Sequence, residues 1–351
     1  MAPKIFITGA AGYIGGEVLI ELLKAHPDLE SEITALVRNS DRGAQVAAIW
    51  PKIKLVYGDL DSTALLEEEA SKADIVYQCA DSDHPAAAEA IGRGIANRQS
   101  SKPGFFIHTS GALVFGFQSM QEGYFGETRD KRYNDWDGVN ELTTLPDDAY
   151  HRNVDKIVLA ASKEHPDKVK TAIVCPPTIF GRGRGIKRRS IQVPNAAQAF
   201  LQMKQGFRVG KGENRWDEIH VTDLARLYVL LGEAAAAGGS PATWNEEGYY
   251  LTENGSYTWG NVMSALAKEA HKQGFLPSAE VKQLSVEEAN AISTFFPLIF
   301  GTDVRGEAVR GKKLLGWQPR EHGLMEEIPN IVSDEAKAMG LVKGHAEKVQ
   351  Q

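Results

Sequence analysis

The stretch Lys4-Ile5-Phe6-Ile7-Thr8-Gly9-Ala10-Ala11-Gly12-Tyr13-Ile14-Gly15-Gly16 constrains this chain more than any other. A β-favouring apolar run enters glycines at 9, 12 and 15, and Ile14, Val18, Leu22 and Ala25 then recur at helical spacing. The pattern predicts strand, tight turn, helix. Gly9 can take the backbone angles of the turn, Gly12 keeps no side chain between the main chain and a pyrophosphate, and Gly15 lets the helix close on the strand. The helix N-terminus then offers unpaired amides and a positive dipole end to the phosphates. A dinucleotide site is the expected consequence.

Further strands follow at Ile33–Val37, Ile53–Tyr57, Ile75–Ala80, Gly104–His108 and Lys170–Cys175. Helical patterns alternate with them, at Ser62–Lys72, Pro85–Arg98 and Asp148–Lys163. Alternation at short intervals implies an α/β fold, a doubly wound parallel sheet covered on both faces. Residues 1–176 are expected to form this dinucleotide-binding domain, with 215–237 returning to it. A smaller, mainly helical substrate lobe is expected from 177–214 and 238–342, and residues 343–351 read as a polar tail.

The second strand ends in Arg38-Asn39-Ser40 rather than in an acid that would accept from a ribose 2′-hydroxyl. An arginine fork there can hold a 2′-phosphate, with Asn39 and Ser40 as further donors, so NADP(H) is expected over NAD(H). Asp59 lies where it could accept from the adenine amino group or cap the next helix. The long loop from Thr109 to Asp147 leaves the C-terminal end of a parallel strand, where ligand crevices form. Trp216, Trp244, Trp259, Phe295 and Phe296 could supply an aromatic pocket or simply core.

A net charge of −7 argues against nucleic acid as a general partner, and the basic run Arg182–Arg189 is short and loop-like. Cys79 and Cys175 sit in apolar runs and read as reduced core thiols, and no metal site is expected. With no apolar run of membrane-spanning length and a first strand at Lys4, the protein is expected to be cytoplasmic, without a membrane partner.

In order along the chain come ITGAAGYIGG, GDL at 58–60, TSGALVFG at 109–116, PPTIFGRGRG at 176–185, IHVTDLA at 219–225 and KLLGWQP at 313–319. With these pieces the chain resembles the extended short-chain dehydrogenases/reductases, the branch that includes nucleotide-sugar epimerases and dehydratases. The resemblance covers nearly the whole length. It implies a cofactor site that adds Tyr13, Ile14, Leu60, Ala80, Thr109, Pro176 and Pro177 to the residues above. It also implies a small-molecule substrate and a homodimer through the helices carrying Arg98 and Lys156.

The catalytic set departs from the family's. Its Ser/Thr position, five residues before Gly116, falls on Gly111, with Ser110 adjacent. Its Tyr four residues before a Lys finds Lys156 but Arg152 in place of the tyrosine. Lys156 is carried over as a ligand of the nicotinamide ribose, Ser110 as a catalytic candidate, and Arg152, Thr178 and Tyr124 as substrate-binding candidates. His220 reads as a helix-capping residue. Without the tyrosine, a proton could come from Tyr124, Tyr133, His151 or a water held by Ser110. Three readings follow: an NADP(H)-dependent oxidoreductase acting on a small carbonyl or unsaturated compound, an epimerase, isomerase or dehydratase with a bound nicotinamide, and an NADP-sensing regulator without turnover.

Overall fold

The computed structural model describes residues 2–342, so the tail expected over 343–351 lies outside the described residues. Its centre is a seven-stranded parallel sheet. In chain order the elements are β1 (Ile5–Thr8), α1 (Tyr13–Ala25), β2 (Ile33–Val37), α2 (Ser40–Ile49), β3 (Lys54–Tyr57), α3 (Thr63–Lys72), β4 (Ile75–Gln78), α4 (Pro85–Ala96) and β5 (Gly104–Thr109). After the long loop come α5 (Arg152–Glu164), β6 (Val169–Cys175), α6 (Gln192–Met203), α7 (Val221–Ala236), β7 (Tyr249–Leu251), α8 (Trp259–Lys272) and α9 (Leu324–Ala338).

The strands lie in the order β7-β6-β5-β4-β1-β2-β3. β1 pairs with β2 through Ile5 opposite Ile33 and with β4 through Ile5 opposite Ile75, so the order reverses beside β1. That reversal leaves a crevice above the carboxyl ends of β1 and β4. Helices cover both faces, which is why all four β1 residues are buried. Full burial of Ile5, Phe6 and Ile7 contributes about 1.5–3 kcal/mol per side chain. α4 packs between α3 and α5, while α1 packs against α7, which also lies on β4 and β5.

The second lobe is built on a three-stranded sheet, Ser256–Thr258, Arg215–His220 and Thr178–Phe180, and on a two-stranded pair, Gly206–Val209 with Val281–Leu284. Residues 206–220 thus contribute a strand to each of these sheets. α9 packs against α6 and α8. Trp259 is fully buried there, edge-on to Phe300 at 4.8 Å.

α5 starts at Arg152 rather than Asp148, because His151 takes a left-handed conformation, φ 64°, as its N-cap. Positions 148–151 therefore belong to the preceding loop and not to the helix. Among the described residues no helix is long and apolar enough to cross a membrane.

Candidate active site

A cleft of about 1160 Å³ opens above the sheet reversal and runs from the tip of β2 to the second lobe. Its floor is the glycine turn. Gly9 has φ +80°, and a Cβ there would stand 2.6 Å from the Cys79 carbonyl oxygen. The Gly12 amide donates to Gly9 O at 2.7 Å, and a Cβ on Gly12 would come within 2.9 Å of that same oxygen. A Cβ on Gly15 would collide with it outright, so Gly15 serves the packing of α1 beneath the turn rather than the cleft surface. Gly12 caps α1 without a side-chain hydrogen bond, leaving the first amides open to an anion. A cradle that tolerates no Cβ, with an open helix end above it, fits a diphosphate. Tyr13 and Ile14 line it too.

At the β2 end the cleft is lined by Arg38 and by Arg42, one turn into α2. Two expected donors are placed otherwise. The Asn39 side chain accepts from the Arg42 amide at 2.9 Å as the α2 N-cap, Ser40 is the first residue of that helix, and neither lines the cleft. Asp59 and Leu60 do line it. Asp59 Oδ1 accepts from the Ser62 hydroxyl at 2.8 Å and the Asp61 amide at 3.1 Å, in the turn before α3, whose N-cap is Ser62 and not Asp59. The Ser62 hydroxyl holds the Asp59 carboxyl below the ordinary carboxylate range.

Beyond the turn, Ala80, Thr109, Ser110, Pro176 and Pro177 continue the floor. The Thr109 hydroxyl is shared with Tyr228 Oη at 2.6 Å, while Ser110 Oγ is buried without a partner. Lys156 stands elsewhere than expected. Its Nζ pairs with Asp147 Oδ1 at 2.7 Å, the side chain is 46% exposed, and it lies outside the cleft lining. Arg152 is also turned away: buried, it donates from Nε to Leu145 O at 3.0 Å and from Nη2 to Thr143 O at 2.6 Å, closing the loop before α5. Position 151, just ahead of the helix, lines the crevice, whereas positions 152 and 156 do not.

His151 lines the cleft together with Tyr150. Its Nδ1 lies 2.6 Å from Asp83 Oδ1 and 3.3 Å from Ser82 Oγ. One turn on, Asp155 is buried, accepts from Tyr249 Oη at 2.9 Å and sits 3.7 Å from His108 Nε2. Burial pushes the Asp155 carboxyl up to about 6 and the His108 imidazole down to about 3.

The remaining substrate candidates are not brought to the cleft. Thr178 is buried and shares a hydrogen bond with Tyr257 Oη at 2.6 Å, whereas its neighbour Ile179 lines the cavity. Tyr124 is an exposed loop residue with the Arg129 guanidinium 4.9 Å above its ring. Tyr133 is buried, stacked on Phe115 at 4.3 Å, and burial pushes its phenol up to about 12. Of the expected aromatics, Trp216, Phe295 and Phe296 line the second-lobe wall; Trp244 packs on Phe105 and Trp259 is core. Ile191 and Ile299 complete an apolar wall whose charged member is Lys187. Ile191 and Phe295 are 58% and 53% exposed, a cost that cleft walls accept where a ligand covers them.

Floor and wall are fastened below the turn by Glu17, a fully buried carboxylate on α1. It accepts from the Arg184 amide at 3.0 Å, from Arg184 Nε at 2.7 Å and from the Thr222 hydroxyl at 2.8 Å. Tyr13 Oη adds a bond to Gly181 O at 2.6 Å. His220 caps α7, accepting from the Thr222 amide at 3.2 Å.

A glycine turn at the reversal of a doubly wound sheet, beneath a long two-lobed cleft, defines a protein built to hold a nicotinamide dinucleotide. Residues 9–105 match the NAD(P)H-binding family model, and residues 145–246 match that of the NAD dependent epimerase/dehydratase family. The oxidase ucsJ of Acremonium sp. is 33% identical over 349 residues, 97% of this chain and 100% of that protein. An uncharacterized protein of Saccharomyces cerevisiae is 26% identical over 337 residues, 93% of this chain and 97% of its own length. The chain therefore belongs to the NAD-dependent epimerase/dehydratase family of extended short-chain dehydrogenases/reductases. Among solved structures, the dTDP-glucose 4,6-dehydratase DesIV of Streptomyces venezuelae with NAD and TYD bound is 16% identical, at a TM-score of 0.65 over 97% of this chain and 98% of that one. UDP-glucose 4-epimerase of Thermotoga maritima with UDP-glucose is 14% identical, with a TM-score of 0.63 over 95% and 99%. At these identities the likeness is one of fold.

Proposed function

We propose that the protein is an NADP(H)-dependent oxidoreductase that reduces a small carbonyl or unsaturated compound with an apolar body. The observation that supports this is the asymmetry of the cleft. Two guanidiniums, Arg38 and Arg42, stand at the adenosine end, and a wall of Ile179, Ile191, Trp216, Phe295, Phe296 and Ile299, interrupted by Lys187, Gln192 and Asn195, stands at the other. A guanidinium pair suits a 2′-phosphate, which a plain ribose lacks. The apolar wall suits a hydrophobic substrate better than a sugar diphosphate, whose charges need several partners. When bound, the dinucleotide supplies the hydride. The chain's own residues orient it: the turn amides hold the diphosphate, and the floor from Ala80 to Thr109 and Pro176 supports the nicotinamide end.

The test is a fluorescence titration with NADPH and NADH, followed by cofactor consumption with aromatic aldehydes and ketones and with UDP-glucose and dTDP-glucose. The expected result is tighter NADPH binding by about tenfold or more and net consumption with an apolar carbonyl. Conversion of a nucleotide sugar without net cofactor change would return the epimerase or dehydratase reading. Binding without turnover of either class would favour the sensor.

A further inference from the structure

We infer that His151, held by Asp83, is the group that exchanges a proton with the substrate oxygen, in the space that the absence of the family's Ser/Thr side chain leaves open in this chain. The inference rests on the oxidoreductase reading for the reaction, but its geometric basis is separate.

The first support is complementary space. The family's Ser/Thr position falls on Gly111, and a Cβ built there would lie 2.8 Å from His151 Nε2 and 3.2 Å from Cδ2. Any hydroxyl-bearing side chain at 111 would displace the imidazole. The absent side chain and the present ring are thus one arrangement: the glycine makes the room, and Nε2 fills it at the cleft surface beside Ser110.

The second support is the tautomer. An ionised carboxylate only accepts, so the short contact to Asp83 Oδ1 places a hydrogen on Nδ1 and leaves Nε2 facing the cleft. Burial tends to raise the Asp83 carboxyl, yet the His151 hydrogen bond and charge outweigh it and hold the carboxyl below its ordinary range. Asp83 is therefore held as the ionised acceptor of this hydrogen bond. The other titratable groups near the ring, Asp155 and His108, are buried, and burial pushes the Asp155 carboxyl up and the His108 imidazole down.

The third support is backbone cost. His151 has φ 64°, a conformation an L residue adopts at about 1 kcal/mol or more unless the surroundings compel it. His151 is the last residue before α5, and from that position it lines the cleft.

The step balances simply. In reduction the carbonyl carbon gains a hydride from the reduced dinucleotide, which is oxidised, while the oxygen takes the Nε2 proton. Neutral His151 then recovers a proton from solvent at the cleft mouth. In oxidation of the alcohol each transfer reverses.

His151→Asn is the apt variant, since asparagine tolerates the left-handed backbone. With para-nitrobenzaldehyde and NADPH as probes, turnover should fall by about 10²-fold or more, with the NADPH dissociation constant changed less than about threefold. Asp83→Asn, a positioning variant, should lower kcat by about tenfold while the KM for the aldehyde changes less than about threefold. A crystal structure with NADP+ supplies a readout independent of turnover. Nε2 should face the nicotinamide C4 with room for one carbonyl group between them, each about 3 Å from it. Full activity in His151→Asn, or an imidazole on the far side of the ribose, would overturn the inference. Should the wild-type protein bind NADPH but reduce no carbonyl, the oxidoreductase reading fails, and the complex still decides whether His151 stands over C4.

Discussion

Lys156 Nζ and Asp147 Oδ1 form an exposed ion pair at 2.7 Å on the outside of the nucleotide domain. The lysine that a sequence comparison places beside the nicotinamide ribose is thereby occupied elsewhere. Lys156→Ala should leave the NADPH dissociation constant within about twofold and the melting temperature within about 2 °C, because exposed pairs contribute little. A titration and a thermal melt check both, and a tenfold loss of affinity would restore the family role.

Arg42 lines the adenosine end although its position, one turn into α2, gives no motif. Arg42→Ala should weaken NADPH binding by about tenfold, the loss of one charge-assisted contact, and leave NADH binding unchanged. Parallel fluorescence titrations with the two cofactors separate this from a general loss of affinity.

Arg152 is a structural residue. Removing its guanidinium would strand the buried carbonyls of Leu145 and Thr143. Arg152→Ala should lower stability by about 2–3 kcal/mol, measured by denaturant unfolding, while the folded variant keeps its affinity for NADPH.

Asp217 lies buried on the strand Arg215–His220, with Oδ2 accepting from the Gly306 amide and Oδ1 unpartnered. Burial pushes its carboxyl up to about 7 from an ordinary 3.8. The folded state therefore binds this proton more tightly than the unfolded state. Its contribution is fully present below the unfolded value near 4 and is lost as pH rises through about 7. Asp217→Asn should remove that loss, so that its stability relative to wild type improves by a few kcal/mol, about 2–4, between pH 4 and pH 8. Unfolding midpoints at the two pH values provide the measurement, and an unchanged difference would mean the carboxyl finds another partner.

The sheet and glycine turn were legible because period-two and period-3.6 apolar patterns alternate cleanly and the three glycines meet steric needs that only backbone can satisfy. The reacting end was less so. The apolar pattern reads 148–163 as one helix and does not show that position 151, a left-handed residue that is not glycine, stays ahead of the helix and is the one the fold brings to the cleft. Thr178 fails for a similar reason: in an extended strand its side chain and that of Ile179 point to opposite sides, and the motif alone does not say which is inward. Arg42 and Asp83 come from a helix and a loop and converge only through the fold.

Glu17 sits where the nucleotide floor and the second lobe share a single carboxylate. With that carboxylate removed, Arg184 and Thr222 would lose their common acceptor, so a change at position 17 would be felt on both sides of the cleft at once.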